Sequence, residues 1–372
     1  MAEPLKNYFG PNITARIAEM IRVVHPPFDA VRFTEDANSR LNELELLPRG
    51  WVIADALHRH LPPDFGDAAA ILEASLGPRL PPGEGGMGSF LYLPHVFFVA
   101  RYGIDHLGTS LDLQYELTKR FTAEFSIRPF LERYPEQTLT RLRAWAHDPD
   151  VHVRRLVSEG TRPRLPWAPR LRAFQKDPRP VLELLELLKD DPELYVRRSV
   201  ANNLNDIGKD HPELLADTCR RWLEGASMER QWLVRHATRS AVKRGEAAAL
   251  QVLGYGKKPA IRIEGVKITP KRVAIGDSVE VSFEVRSTAR HKQSLLIDFR
   301  VHYVKADGST TPKVFKLDTV ELDPSASVRF RKKISLRQMT TRVHCPGKHQ
   351  VDVLANGVVL PAGTFVIKKR DD

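Results

Sequence analysis

The stretch DPDVHVRRLV, residues 148–157, decides the fold because it recurs as DPELYVRRSV at residues 191–200. A weaker third copy surrounds Val234, and the equivalent valines of the three copies lie 43 and 38 residues apart. A repeat of about 40 residues is typical of solenoids, in which each helix pair buries its apolar face against the next pair. Apolar residues also recur at helical spacing through residues 1–255. We therefore predict that residues 1–255 form a stack of helical repeats.

The residues that follow alternate between apolar and polar side chains, which is typical of strands. Residues 256–260 contain Gly, Lys and Pro and are predicted to be a linker. Turn signals occur at Ala306-Asp307-Gly308 and at Asn356-Gly357. The predicted strands cover residues 261–268, 279–285, 295–304, 314–320, 328–334, 350–354 and 358–367.

Seven short strands favour an immunoglobulin-like β-sandwich over residues 261–370. The sandwich is predicted from this pattern alone, because no Trp follows Trp232 to form an immunoglobulin Cys–Trp–Cys core. The repeat period near 40 residues is that of HEAT and armadillo proteins. The predicted fold is therefore multidomain: an all-α HEAT-like repeat solenoid, residues 1–255, followed by an all-β immunoglobulin-like sandwich.

The excess positive charge of the chain lies in its last third. The formal net charge is +11, and residues 256–372 hold 23 Lys and Arg against 12 Asp and Glu. Residues 1–255 hold 34 of each sign. The predicted sandwich is therefore the first candidate for contact with a polyanion, with a merely solubilising surface as the alternative.

Several classes of protein are disfavoured by the sequence. The first residues lack a signal-peptide pattern, and no run approaches the ~20 apolar residues of a membrane span. Cys219 and Cys345 do not indicate a disulfide framework. There is no Gly-rich phosphate loop, GxSxG or HExxH motif, and the histidines show no metal spacing beyond His58 and His60. We expect a cytoplasmic monomer that uses neither a metal nor an organic cofactor.

Charged side chains recur on one face of the two best-matched repeat helices. A line of arginines on one face of a solenoid can track DNA phosphates. The alternative is an ordinary i,i+4 salt bridge on a solvated helix face. The residues concerned are Arg155, Glu159 and Arg162 in the first copy and Arg198, Asn202 and Asp206 in the second.

Two further residues lie outside this face. Glu124 is expected near a helix junction, because Pro129 should begin a new helix. Trp167 follows Pro163-Arg164-Leu165-Pro166, a rigid connector that could hold its ring against a nucleobase or a sugar. The alternative for Trp167 is that it fills the interface between repeats.

Three segments of the chain resemble the bacterial AlkC branch of the AlkC/AlkD alkylated-DNA glycosylases. They are FTAEFSIRPFLERYPEQTL (121–139), WAHDPDVHVRRLVSEGTRPRLPWA (145–168) and VRRSVANNLNDIGKDHP (196–212). Some members of that family also carry a C-terminal immunoglobulin-like domain, which matches the predicted sandwich. The resemblance extends broadly over the helical part of the chain.

The resemblance implies roles for individual residues. Glu124, Glu159 and Asp206 fall at catalytic positions, and Trp167 falls at a substrate-binding position. Asn202 is also expected to contact the substrate. The arginines expected to contact DNA are Arg155, Arg198, Arg164, Arg235 and Arg239.

The reaction implied by the resemblance is hydrolysis of the N-glycosidic bond of N-alkylated bases, such as 3-methyladenine and 3-methylcytosine, in double-stranded DNA. A cationic alkylated base leaves readily, so the enzyme mainly has to place negative charge near a sugar on which positive charge builds up. Aromatic rings add cation–π attraction to such a base. A monofunctional glycosylase of base excision repair, associated with the nucleoid through DNA, is therefore expected.

The rival hypothesis is a non-catalytic HEAT-repeat scaffold that binds nucleic acid or protein. Both hypotheses explain the repeat and the positive charge. Only the enzyme explains carboxylates on a surface that faces DNA, since carboxylates repel phosphates.

Overall fold

The computed structural model describes residues 5–81, 87–339 and 343–369 of the chain. Helices occupy most of the described residues up to Val252, with short 3-10 turns at Leu5–Tyr8, Leu41–Glu43 and Met87–Tyr92. The α-helices are α1 (Pro11–Val24), α2 (Ala30–Asn38), α3 (Leu46–His60), α4 (Phe65–Ala74), α5 (Leu93–Tyr102), α6 (Leu107–Thr118), α7 (Ile127–Arg133), α8 (Pro135–Trp145), α9 (Val151–Gly160), α10 (Arg172–Lys176), α11 (Arg179–Leu188), α12 (Leu194–Ile207), α13 (Pro212–Leu223), α14 (Met228–Arg244) and α15 (Ala247–Val252).

The repeated DP…VRR sequence forms the same local structure twice, at the starts of α9 and α12. The first arginine of each copy folds back onto the carbonyl oxygens of its own Asp-Pro pair. Arg154 Nη1 donates to the Asp148 and Pro149 oxygens at 2.9 and 3.0 Å. Arg197 Nη1 donates to the oxygens of Asp191 and Pro192 at 2.6 and 2.7 Å. The second arginine of each copy is thereby left for other contacts.

Stacking of α9 on α12 builds the repeat core. Leu156 and Val157 of α9 and Val200 and Leu204 of α12 are each at most 1% exposed. Arg154 also links the two copies, with Nε 2.6 Å from Asp191 Oδ2. The predicted solenoid of helical repeats is confirmed, and it places the C-terminal turns of α9 and α12 side by side.

The strands form two sheets of an antiparallel sandwich. The three-stranded sheet has the order β1-β3-β6, and the five-stranded sheet has the order β2-β8-β7-β4-β5. All seven predicted strands are present, and the structure adds a three-residue strand that pairs in parallel with the last one. The strands are β1 (Ile261–Thr269), β2 (Arg272–Ala274), β3 (Ser278–Ser287), β4 (Gln293–Val304), β5 (Thr310–Leu322), β6 (Ser327–Ser335), β7 (Gly347–Ala355) and β8 (Val358–Lys368).

Local turn chemistry and phenylalanines explain the sandwich. Asn356 and Gly357 both have positive φ, 46° and 76°, as the tight β7–β8 hairpin requires. Phe283 and Phe330 of the smaller sheet and Phe299 and Phe365 of the larger sheet fill the core between the sheets. A phenylalanine core thus replaces the Cys–Trp–Cys core that the sequence lacks, and the predicted fold class is confirmed.

The chain divides into two compact units. One comprises residues 1–210 and 225–237, and the other comprises residues 211–224 and 238–372. The change from helix to strand occurs over the predicted linker, residues 256–260. Because α13 and α15 belong to the same unit as the strands, a domain boundary at that linker stays a prediction. Among the residues that the structure describes, no helix combines the length and apolar character needed to cross a membrane.

Candidate active site

A continuous chain of ion pairs joins the three carboxylates that the sequence singled out. Arg155 lies between Glu124 and Glu159: Nη1 is 2.8 Å from Glu124 Oε2, and Nη2 is 3.5 Å from Glu159 Oε1. Arg162 lies between Glu159 and Asp206: Nη1 is 2.7 Å from Glu159 Oε1, and Nε is 2.8 Å from Asp206 Oδ2. The stacked helices therefore bring Glu124, Glu159 and Asp206 together.

Each carboxylate comes from a different segment of the repeats. Glu124 precedes α7, which begins two residues before Pro129, so the expected helix junction is present. Glu159 lies in the last turn of α9, and Asp206 lies in the last turn of α12. Gly160 allows this approach, because an added Cβ would lie only 2.6 Å from the Ile127 side chain.

Glu159 and Asp206 are buried, and the partners of Glu159 favour its ionised form. The side chains of Glu159 and Asp206 are only 7% and 1% exposed. Burial alone would raise the pKa of Glu159, but Arg155, Arg162 and a hydrogen bond from Ser199 outweigh burial and hold that pKa below its ordinary value. The two flanking carboxylates raise the pKa of Arg155 against the opposing effect of burial.

Two serines, a tyrosine ring and a lysine complete the cluster. Ser199 Oγ donates to Glu159 Oε2 at 2.6 Å, and Ser158 Oγ donates to Ser199 Oγ at 2.8 Å. The guanidinium of Arg155 lies 5.2 Å from the centre of the Tyr195 ring, a cation–π distance. Lys209 Nζ lies 2.8 Å from Asp206 Oδ1. The three carboxylates are therefore matched in number by three cations, Arg155, Arg162 and Lys209.

Glu124 differs from the other two carboxylates in its unused oxygen. Glu159 and Asp206 each use both oxygens for side-chain partners. Oε2 of Glu124 accepts from Thr122 and Arg155, whereas Oε1 has no protein partner within residues 5–81, 87–339 and 343–369. Oε1 of Glu124 is therefore the carboxylate oxygen of this cluster that can take a hydrogen bond from water.

The connector after α9 presents Trp167 to solvent. Trp167 has a φ of 66°, a conformation that bulky residues rarely adopt, and it is 60% exposed. The alternative that Trp167 fills an interface between repeats is therefore wrong. Arg128 fastens this connector by donating to the carbonyl oxygens of Gly160, Arg162 and Pro169 at 3.1, 2.8 and 2.5 Å. Burial lowers the pKa of Arg128 to about 10, which leaves it charged at neutral pH.

The predicted line of DNA-binding arginines is not uniform. Arg198 and Arg235 are exposed. Arg155 instead lies in the carboxylate cluster, and Arg164 forms a bidentate pair with Asp210. Arg239 is half-buried.

The face predicted on α12 is split in the same way. Arg198 is exposed, Asn202 is half-buried with its Oδ1 3.2 Å from His236 Nε2, and Asp206 is buried. Because successive turns of α12 face different neighbours, equal spacing along the helix does not give equal exposure.

Sequence reasoning missed several members of the cluster. The sequence predicts that Arg162 shares a helix face with Arg155 and Glu159, but α9 ends at Gly160. Nothing in the sequence marks Arg162 as the bridge to Asp206. Tyr195 and Ser199 lie inside the second copy of the repeat, and Lys209 lies inside the family-like segment 196–212, but their spacing does not mark them as partners of the carboxylates. Within the described ranges, the structure contains no group of three or more His, Cys, Asp and Glu that could hold a metal ion.

Comparison with known proteins supplies the family. Residues 121–244 match the model of the DNA alkylation repair enzyme family, and residues 262–369 match the C-terminal immunoglobulin-like domain of an uncharacterised protein, YhaZ. The chain is 35% identical to the uncharacterised YhaZ protein of Bacillus subtilis, over 98% of this chain and 99% of that one. The alkylpurine DNA glycosylase AlkC of Pseudomonas fluorescens, solved bound to DNA with an abasic site analogue, is 37% identical with a TM-score of 0.91, covering 98% and 100% of the two chains.

The chain belongs to the AlkC-like branch of the DNA alkylation repair enzyme family. The part matched by the family model, residues 121–244, includes all of the carboxylate cluster and the connector with Trp167. The immunoglobulin-like domain of AlkC-like proteins corresponds here to β1–β8.

Proposed function

We propose that this protein is a monofunctional DNA glycosylase that hydrolyses the N-glycosidic bond of N-alkylated bases, such as 3-methyladenine and 3-methylcytosine, in double-stranded DNA. The proposal includes no metal and no organic cofactor, and it takes the protein to act as a monomer. Its main structural support is Glu124, whose Oε1 has no protein partner among the described residues while Arg155 holds Oε2. The likeness to an alkylpurine DNA glycosylase bound to abasic DNA supports the same reaction.

Glu124 would position the attacking water and attract its proton. Hydrolysis of an alkylated nucleotide passes through a sugar with oxocarbenium character, which a nearby carboxylate stabilises. Because the leaving base is already cationic, it needs no protonation before it departs. A carboxylate that orients water without an accompanying general acid is therefore sufficient for this substrate class.

Glu159 and Asp206 would act mainly by positioning. Both are buried and both are held by Arg162, so they fix the end of α9 and the start of the connector. Glu159 also holds Arg155 against Glu124. Because the three carboxylates and three cations balance, loss of any one carboxylate leaves a buried positive charge beside the others and shifts the orientation of Glu124.

Trp167 would contact the damaged nucleotide. Its exposed indole can stack on a base or attract a cationic lesion, and the strained backbone at φ 66° indicates that the connector is held for a purpose other than core packing. Arg198 and Arg235 are exposed and would contact phosphates, while the half-buried Asn202, one turn after Arg198 on α12, is a candidate substrate contact. Arg155 and Arg164 are already paired with carboxylates, so contact with a phosphate would require these ion pairs to break. Arg239 is half-buried, so contact with a phosphate would require a change in its packing.

The scaffold hypothesis makes a different prediction for the carboxylates. If the cluster only joined the repeats, we would expect both oxygens of every carboxylate to have protein partners. Oε1 of Glu124 would then have no role in holding the repeats together. A scaffold would also release no base.

The test is incubation of the protein with duplex DNA treated with a methylating agent, followed by chromatography of the free bases. We expect release of methylated bases in the presence of a metal chelator, and no strand cleavage or borohydride-trapped covalent complex. Intact methylated DNA after prolonged incubation with folded protein would favour the scaffold. Release that requires an added metal would contradict the cofactor-free mechanism.

A further inference from the structure

An aromatic pocket shares its wall with the two segments that carry Glu124 and Trp167. Phe125, the neighbour of Glu124 in the chain, lines the pocket together with Trp51, Phe97 and Trp167. Its volume of about 220 Å³ lies below the ~300–1,000 Å³ of pockets that enclose drug-sized ligands. The pocket therefore suits a single planar ring system. Its link to the carboxylate cluster is Arg128, which lines the pocket and donates to the carbonyl oxygens of Gly160 and Arg162.

Three rings of the pocket are held rigidly. Trp51 and Phe97 stack with centroids 4.1 Å apart and planes inclined by 3°, and Arg101 lies 4.3 Å from the centre of the Trp51 ring. Phe125 meets Phe97 at 66°. Trp167 makes no ring contact with any aromatic side chain in the described part of the chain, so its indole is the one available to stack on a ligand.

The charges of the pocket cancel. Arg128 and Glu132 both line it, and they carry opposite charges. Arg128 donates its hydrogen bonds to the carbonyl oxygens of Gly160, Arg162 and Pro169, and Glu132 is exposed. A pocket without net charge gives no preference for a phosphate group, and its aromatic wall can stack on a heteroaromatic ring.

We infer that this pocket binds the free, neutral alkylpurine base that the reaction releases. The inference rests on the proposed function. In that reaction the C1′–N bond breaks, and its electron pair passes to the cationic base, which becomes neutral. The water oxygen bonds to C1′ and one water proton goes to solvent. Release thus converts a cation attached to the DNA into a neutral free ring, which matches a pocket without net charge.

Isothermal titration calorimetry of the full chain with free 3-methyladenine tests the inference, with 2′-deoxyadenosine 5′-monophosphate as the comparison ligand. We expect saturable binding of the base and binding of the nucleotide that is weaker by about tenfold or more. Ala100→Phe fills the pocket and excludes the base from its stacking contacts, so it should raise the Kd for the base by about tenfold or more, the scale of one lost aromatic contact. Ala226→Phe, also half-buried but away from the pocket, should leave the Kd unchanged.

A second variant keeps the test decisive if Ala100→Phe does not fold. Trp167→Ala removes an exposed ring and should also raise the Kd for the base. Equal binding of 3-methyladenine by wild type, Ala100→Phe and Trp167→Ala, or equal binding of base and nucleotide, would overturn the inference. Base release from methylated DNA, measured on the same samples, separates the two proposals: release without pocket binding overturns this inference alone, whereas absence of release overturns the proposed function.

Discussion

Nη1 of Arg155 lies 2.8 Å from Oε2 of Glu124, a residue 31 positions earlier in the chain. The pair joins the repeat helix α9 to the segment before α7 and leaves Oε1 of Glu124 for water. A residue on the predicted phosphate-binding line thus holds the proposed water-positioning group. This arrangement makes the cluster sensitive to the loss of any member.

Replacement of Glu159 by glutamine should reduce excision and stability together. We expect excision of methylated bases to fall by about 10²-fold, the scale for loss of one preorganised electrostatic group. The pKa of Glu159 in the folded protein lies below the 4.5 of a free glutamate, because of Arg155, Arg162 and Ser199. Its ionised form therefore contributes stability that is fully present above pH 4.5 and is lost as the pH falls through the folded-state pKa.

Urea unfolding between pH 7 and pH 3 measures this contribution. The difference in free energy of unfolding between wild type and Glu159→Gln should narrow as the pH falls below 4.5. Glu183→Gln, which removes a carboxylate from an exposed ion pair with Arg143, is the matched control and should change neither stability nor excision much. A gap between wild type and Glu159→Gln that stays constant with pH would show that the ionised Glu159 contributes no net stability.

Trp167→Ala should separate function from folding. Because Trp167 is 60% exposed, the free energy of unfolding should fall by much less than the ~3–5 kcal/mol of a lost core aromatic, while excision falls. Trp222 on α13 is 1% exposed and is the matched control. Trp222→Ala should lower the free energy of unfolding by the full ~3–5 kcal/mol. Thermal melts and excision per folded molecule measure both. Unchanged excision by Trp167→Ala would remove Trp167 from the substrate site.

Arg128→Lys should impair excision without touching a carboxylate. A lysine ammonium cannot reach the carbonyl oxygens of Gly160, Arg162 and Pro169 with the fork of a guanidinium, so the connector with Trp167 should loosen. We expect excision to fall by ~10- to 10²-fold, the scale of small misplacements near a reacting centre. Arg141→Lys, at an exposed pair with Asp112, is the control. Wild-type excision by Arg128→Lys would mean that the connector does not depend on this anchor.

The positive charge of the second compact unit should contribute to DNA binding. Lys257, Lys258 and Arg290 are exposed and line one recess of about 630 Å³. Each phosphate contact contributes about −0.9 to the slope of log K against log salt. Replacing Lys257, Lys258 and Arg290 by glutamine should therefore weaken DNA binding. It should also make the slope of log K against log salt shallower by up to about three times 0.9. Unchanged affinity and slope in a salt titration would show that this recess does not contact DNA.

The fold could be predicted from the sequence because its signals are local and repeated. The DP…VRR motif recurs, each first arginine binds its own Asp-Pro carbonyls, and Arg154 also binds Asp191 of the second copy. The hairpin at Asn356-Gly357 follows from residues that accept positive φ. The three-residue strand β2 could not be predicted, since its pairing with β8 is distant in sequence and its pattern is too short.

The site could be predicted only in part. The resemblance gave the carboxylates, but their partners depend on side-chain directions across repeats. Arg162 reaches Asp206 from 44 positions away, and this pairing buries Asp206 although Arg198, two turns earlier on the same helix, is exposed. Equal spacing along a helix indicates that residues share a face. It does not indicate which neighbouring element covers each turn of that face.

The single-turnover rate of base release from a duplex containing 3-methylcytosine, measured for wild type and Glu124→Gln, tests the central claim most directly. Glutamine keeps the shape of the side chain but removes the charge that positions water, so we expect release per folded molecule to fall by about 10²-fold or more. Glu183→Gln should release base at the wild-type rate. A folded Glu124→Gln protein that releases 3-methylcytosine as fast as wild type would contradict the account.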